Sequence, residues 1–253
     1  MSALLVTISF SHYCEKARWA LDRAQVPYTE EAHAPLVHFW GTKRRGGSST
    51  PLLRLADGRL LRESSDIVQY ADAQRPGSLL PTEHRAEIDA LIRRFDDELG
   101  PAVRRIVYYT LFEAGEAMAP LIRDSTTGLT RAAAPLLGML LPPLIKRSLK
   151  IDAKGVARSR AKLEPLLSDI EAMLADGRRF LVGDRFTAAD LTFAALYSPI
   201  LVPPEQPVTS RTVLPPSLIR LRDEALARPA GQFAARIYRE EREEREERDR
   251  VAR

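Results

Sequence analysis

Apolar, mostly β-branched residues from Leu4 to Ile8 form a short run that predicts a buried strand. The spacing then changes: Cys14, Ala17, Leu21 and Ala24 recur at steps of three and four, the period of a helix packed on one face. Between them Ser9-Phe10-Ser11-His12-Tyr13 makes a turn that sets hydroxyls, free backbone N–H groups and the Cys14 thiol at a helix start. Such a place favours anions, thiolates included. Any chemical site is expected here.

Val26-Pro27-Tyr28 breaks the helical pattern, and a second extended segment follows from Tyr28 to Ala32. The polar stretch Gly41 to Thr50 reads as a loop. Pro51 to Leu55 reads as a strand, Asp57-Gly58 as a hairpin turn, and Leu60-Leu61 as the returning strand. Glu63-Ser64-Ser65-Asp66 then opens a helix carrying Ile67, Val68, Tyr70 and Ala71, its side-chain oxygens expected to accept the first-turn N–H groups. This order predicts an α/β unit with two early parallel strands and a late antiparallel hairpin.

Arg75-Pro76-Gly77-Ser78 and Leu80-Pro81 punctuate strongly, and helical spacing takes over, so a boundary falls near residue 80. Ile88, Leu91, Ile92, Phe95 and Leu99 share one face, and Gly100-Pro101 is expected to kink or interrupt that helix. From Leu121 to Ile151 apolar segments are broken by Gly128, Pro135, Gly138 and Pro142-Pro143. The reading preferred is an insertion packed on the bundle. A variant lid, or an apolar patch for a hydrophobic substrate, partner or membrane surface, is the alternative. Thr187 with Asp190 makes a capping box, and Phe186 with Leu191 a hydrophobic staple across it. From about Arg239 the chain turns into alternating Arg and Glu, whose pairs at four residues, such as Glu241 with Arg245, predict a solvated tail helix.

Composition narrows the function classes. The 253 residues carry a net charge of only +4 and no basic stripe interleaved with aromatics, which argues against nucleic acid. One cysteine excludes an internal disulfide framework and a cysteine-rich metal site, and fits a reducing compartment. No signal segment is visible, and the most apolar run, Ala132 to Ile145, falls short of the roughly 20 residues that span a bilayer. A soluble cytoplasmic protein without a transmembrane segment is expected.

Ser11 to Arg18, Thr50-Pro51 and Glu63-Ser64-Ser65-Asp66-Ile67, in this order of elements, resemble the thioredoxin-like N-terminal domain of cytosolic glutathione S-transferases of a serine or bacterial type. The box at Thr187, after the glycine-containing loop Leu181 to Arg185, resembles the start of the central buried helix of that family's C-terminal domain. The resemblance implies an α/β thioredoxin-like domain over residues 1–80, followed by an all-α helical bundle over 81–253. It implies glutathione as co-substrate, no metal, a homodimer, and a glutathione transferase that conjugates the glutathione thiolate to a small hydrophobic electrophile in detoxification.

Carried over residue by residue, Pro51 is expected to be cis, Thr50 to pair through its backbone with the cysteinyl part of glutathione, and Glu63 and Ser64 to hold its γ-glutamyl end. Lys43, in the loop that contacts the glycine carboxylate in relatives, is the basic candidate, beside Arg44 and Arg45. Ser11 is the candidate hydroxyl for the sulfur, with Cys14 and Tyr13 as alternatives and Ser9 behind them. His12 replaces a proline common at this place. Cys14 stands where redox relatives keep a second cysteine, but Ser11 takes the place of the first, so a two-thiol cycle is closed to it. Tyr108, Tyr109 and Phe112 are candidates for the electrophile site. Two other functions stay open at this point: a non-catalytic transferase-like interaction protein, and a glutathione-dependent thiol reductase working through Cys14.

Overall fold

A computed structural model describes residues 2–35, 37–114, 119–125, 131–206 and 214–242. Strand β1 (Ala3–Ile8) leads into helix α1 (His12–Arg23), strand β2 (Tyr28–His33) and a short helix α2 (His38–Lys43). Strands β3 (Leu52–Arg54) and β4 (Leu60–Leu61) and helix α3 (Ser64–Gln74) complete the first unit. The sheet order is β2-β1-β3-β4, with β1 and β2 parallel and the two other pairings antiparallel. The parallel β1–β2 pair and the β3–β4 hairpin are as predicted, and the antiparallel β1–β3 pairing joins them into one sheet. The stretch read as a loop from Gly41 differs, since α2 runs through Lys43 and its Thr42 hydroxyl donates back to the His38 carbonyl at 3.0 Å.

The remainder is helical: α4 (Arg85–Arg94), α5 (Gly100–Glu113), α6 (Ala119–Ser125), α7 (Ala134–Ser148), α8 (Ala153–Leu174), α9 (Ala188–Leu201), α10 (Pro216–Leu226) and α11 (Pro229–Glu241). Helix α9 is buried nearly all round, and its start carries the expected capping box: Thr187 and Asp190 satisfy each other's backbone N–H groups. Asp190 also accepts from the Leu181 amide at 2.7 Å, tying the preceding loop to the box.

Between α4 and α5 the interruption expected at Gly100-Pro101 takes a specific form, a π-helical turn over Phe95–Leu99. The Gly100 amide reaches back to the Phe95 carbonyl, so in this register Pro101 is the residue that would bond the Asp96 carbonyl, and it has no N–H. The Tyr13 hydroxyl donates to that carbonyl instead, at 2.8 Å. A Cβ on Gly100 would lie 2.3 Å from the same hydroxyl, so only glycine admits this approach. Beside it the Lys16 ammonium, fully buried, bonds Asp96 at 2.8 Å and Ser65 at 2.7 Å. One helix of the first unit is thereby fastened to one turn of the second.

Two expectations need correction. Pro142 and Pro143 do not break the insertion: α7 runs through them, and the Met139 carbonyl freed by Pro143 belongs to an exposed residue that water can serve. Gly138 lets α7 cross close to α6, since a Cβ there would meet Ala119 at 2.7 Å. One face of α7 packs into a small second core with Ile122, while Leu136, Met139, Leu140 and Leu144 remain exposed. The segment therefore combines the packed and the exposed readings. Gly128 lies outside the described residues.

The tail also departs from expectation at its start. Arg242 is not solvated: its guanidinium is buried against α1, 2.8 Å from Glu15 and 3.0 Å from Asp22. Glu15 and Arg18 on α1 are buried with it, because α1 packs against both α3 and α9 and is met by the end of α11. Charge pairing replaces the lost solvent. Residues 243–253, with the remaining Arg/Glu pairs, lie outside the described residues.

Candidate functional site

A cavity with two connected lobes lies between the sheet unit and the helical unit. The polar lobe, about 360 Å³, is lined by Thr50, Pro51, Glu63, Ser64, Asp97 and Arg104, among others. The apolar lobe, about 300 Å³, is lined by Phe10, Ser11, Val107, Tyr108, Leu111 and Ile145, among others. Tyr13, Ser49, Thr50 and Arg104 line both, and so mark the threshold between them.

The local chain explains why these groups converge. The Thr50–Pro51 peptide is cis and turns the chain into β3. Helix α3 starts at Glu63, whose extended backbone makes it the cap residue, yet no side chain caps the first turn. The capping expected of the serine and acidic oxygens is thus not made. The orphan N–H groups stay open beside Glu63 and Ser64, a ready place for an anion. Helix α1 repeats the pattern, with Ser11 as cap residue and no side-chain cap bond.

Instead of capping, the Ser11 hydroxyl bonds Cys14. The Cys14 thiol is fully buried, and burial pushes its pKa up against the opposing pull of Arg18 and of hydrogen bonds from Ser11, the Ile8 backbone and Thr50. Such a thiol stays protonated and out of reach of solvent. Tyr13 is also committed elsewhere: burial raises its pKa and its hydroxyl is taken by the Asp96 carbonyl. His12 is buried. Burial, then the Arg104 charge, lowers its pKa to about 3 against the Gly100 carbonyl 3.1 Å from Nε2, so the ring is neutral. His38 is likewise held neutral, its pKa lowered to about 4 by burial and by His33.

The structure therefore brings Ser11, Tyr13, Thr50, Pro51, Glu63, Ser64 and Tyr108 to one cavity wall. Lys43 is not among the lining residues; it is exposed on the last turn of α2. Tyr109 and Phe112 do not line the cavity either. On α5 the positions that face it are Arg104, Val107, Tyr108 and Leu111, a stripe at steps of three and four. Tyr109 and Phe112 point away from that stripe into the second core, where Phe112 stacks on Tyr108 at 5.7 Å and carries Lys146 over its outer face. Sequence reasoning picked the aromatics of this helix and passed over Arg104, although its spacing from Tyr108 places the two on one face. Phe39, Ser148 and Leu149, from α2 and the end of α7, were also missed as lining residues. No group of His, Cys, Asp and Glu suited to a metal occurs among the described residues.

Comparisons with known proteins bear on the family and the fold. A family model described as the glutathione S-transferase N-terminal domain matches residues 5–79, and one described as the glutathione S-transferase C-terminal domain matches residues 153–203. A search of curated proteins returned no match. Among solved structures, a glutathione S-transferase from Methylobacterium radiotolerans in complex with glutathione sulfonate is 24% identical, with a TM-score of 0.55 over 93% of this chain and 95% of that one. A glutathione S-transferase from Methylobacillus flagellatus with glutathione bound is 18% identical, with a TM-score of 0.52 over 92% and 99%. A glutathione transferase from Phanerochaete chrysosporium is 16% identical, with a TM-score of 0.60 over 96% and 98%. At these identities the likeness is one of fold.

Proposed function

Because the chain belongs to the glutathione S-transferase superfamily, we propose that it binds glutathione in the polar lobe and joins it through its sulfur to an electrophile held in the apolar lobe. The observation that carries this reading is the convergence on one cavity of three features: Ser11 at the start of α1, Thr50 ahead of cis-Pro51, and Glu63-Ser64 at the start of α3. Glu63 takes the α-amino group of the tripeptide. Ser64 and the open N–H groups of α3 take the neighbouring carboxylate. The Thr50 backbone pairs with the cysteinyl unit, whose sulfur then lies at the threshold beside Ser11.

Ser11 is the residue that donates to the sulfur, its hydroxyl turning from Cys14 to the bound thiolate. Tyr13 is spent on Asp96, and Cys14 is buried with a raised pKa, which also disfavours the reductase reading. A hydrogen bond to a charged sulfur contributes roughly 1.5–3 kcal/mol, enough to raise the thiolate population at neutral pH about tenfold or more. The thiol proton passes to solvent and a sulfur lone pair forms the new S–C bond. The leaving group departs with the electrons of its own bond, or, in an addition, the adjacent carbon takes a proton from water. Tyr108, whose pKa burial pushes up to about 12, stays a neutral phenol facing the electrophile.

Calorimetric titration with glutathione tests the binding half, and conjugation of a chloronitrobenzene the chemical half. Wild-type protein should bind, and Glu63→Ala or Ser64→Ala should weaken binding about tenfold or more. Ser11→Ala should keep affinity while kcat falls about tenfold or more. No heat at millimolar glutathione would reject this reading in favour of an interaction protein. An unchanged kcat in Ser11→Ala would move the donor elsewhere.

A further inference from the structure

Arg104 stands out among the groups around the cavity because no described residue pairs with it. Its neighbour Arg105 is anchored to Ser159 at 2.7 Å and to the Leu149 carbonyl. Among the described residues Arg104 has no hydrogen-bond or ion-pair partner, although it is half-buried. Of the three carboxylates that line the polar lobe with it, Asp96 is committed to Lys16 and Ser65. Asp97 and Glu63 do not pair with it.

The apolar lobe has the opposite balance. Its lining includes no carboxylate, and its two histidines, His12 and His38, are neutral. Arg104 is the one charged group lining that lobe among the described residues. A half-buried guanidinium without a partner is a costly arrangement that an incoming anion relieves, and its planar fork matches a carboxylate with two parallel bonds. The charge already reaches the groups opposite: it opposes ionisation of His12 and favours the phenolate of Tyr13 and of Tyr108. An anion at the threshold stands in that same field.

We propose that the second substrate is an apolar electrophile bearing a carboxylate, held by Arg104 at the threshold of the two lobes with its apolar body against Val107, Tyr108, Leu111 and Ile145. This rests on the transferase reading for the identity of the reaction, but the binding site itself does not depend on it. Glutathione's carboxylate beside its amino group is served by α3 and its sulfur by Ser11, and the apolar lobe that Arg104 also lines is the one that receives the partner molecule.

An isosteric pair of unreactive ligands, nitrobenzoate and nitrobenzamide, tests the point by calorimetry with and without glutathione. Wild-type protein should bind the carboxylate about tenfold more tightly than the amide. Arg104→Gln should abolish the preference by weakening the carboxylate alone, and Arg104→Lys should retain part of it. Equal affinities in the wild type, or an equal loss of both ligands in Arg104→Gln, would overturn the proposal. If Arg104→Gln instead raises only the pH at which bound glutathione shows its ultraviolet thiolate absorbance, the guanidinium serves the sulfur and the proposal is wrong. Absence of glutathione binding alongside a carboxylate preference would reject the transferase reading and leave this site standing.

Discussion

Arg242→Ala removes the guanidinium that the end of the chain inserts against α1. In the native protein that group is 2% exposed and the Glu15 carboxylate it meets is 0% exposed, with 2.8 Å between them. Truncation leaves Glu15 with Arg18 alone, at 3.4 Å, and Arg18 is already shared with Glu30 at 2.8 Å. Asp22 loses its 3.0 Å contact with Arg242 as well. Breaking one side of a buried pair costs about 3–5 kcal/mol, because the remaining charge stays desolvated. Set against a total stability of about 5–15 kcal/mol, that is a large fraction. At about 2–4 °C per kcal/mol for a chain of this size, Tm should fall by about 10 °C.

Urea and thermal unfolding followed by circular dichroism give the magnitude. Trp19 fluorescence reports the place, since its indole donates to the Glu241 carbonyl at 3.3 Å and the Arg242 guanidinium sits 5.7 Å over its ring. The double variant Glu15→Gln with Arg242→Met removes both charges and should recover most of the loss. A loss below about 1 kcal/mol in Arg242→Ala, the range of exposed pairs, would refute the argument. It would mean that the tail frays and water reaches Glu15 freely.

Three further outcomes follow from burial and geometry. The single thiol, Cys14, should resist alkylation in the native protein and react once per chain after denaturation; rapid native labelling would contradict its burial. Gly100→Ala should displace Tyr13 from the Asp96 carbonyl and cost about 1–3 kcal/mol, read as a lower urea midpoint, with no loss in a Gly100→Ala, Tyr13→Phe pair beyond that of the first change. Asp190 is raised by burial to about 6 against the hydrogen bonds of Leu181 and Thr187, so the folded state holds its proton more tightly than the unfolded chain does. Its contribution to stability is therefore greatest below the unfolded value near 4 and declines as pH rises to about 6, by up to about 3 kcal/mol. Urea midpoints across that range should fall more steeply in wild-type protein than in Asp190→Asn, and parallel curves would contradict the shift.

What the sequence made legible was local. Short apolar runs between turn signals located the strands and the three-to-four period the helices, Asp57-Gly58 the hairpin, and Thr187 with Asp190 a helix start, because each depends on residues a few positions apart. The convergence of Ser11, Thr50, Glu63 and Ser64 on one cavity became visible only through the family resemblance, since they lie on separate elements. Periodicity assigned α1 one apolar face. It could not foresee a second cover, so nothing in the pattern showed that Glu15, Lys16 and Arg18 are each buried beside a partner on another element, Arg242, Asp96 or Glu30. Helix α2 was missed for a related reason: six residues are too few to show a period.

Gly100-Pro101 shows how a signal can be read correctly and still be understood too narrowly. As punctuation, the pair predicts an interruption, and the π turn supplies one. Its consequence lies in what the interruption leaves unsatisfied. Proline removes the N–H that the Asp96 carbonyl would receive in the π register, and glycine clears the space through which Tyr13 reaches that carbonyl. The same turn aims the Asp96 carboxylate at Lys16 and Ser65, so α1, α3 and the start of α5 are held together at one point. Tyr13 is thereby tied to the helical unit, while Ser11 lines the apolar lobe and Arg104, one turn beyond Gly100, lines both lobes. A dipeptide in the helical unit thus decides which partner a side chain of the opening stretch takes.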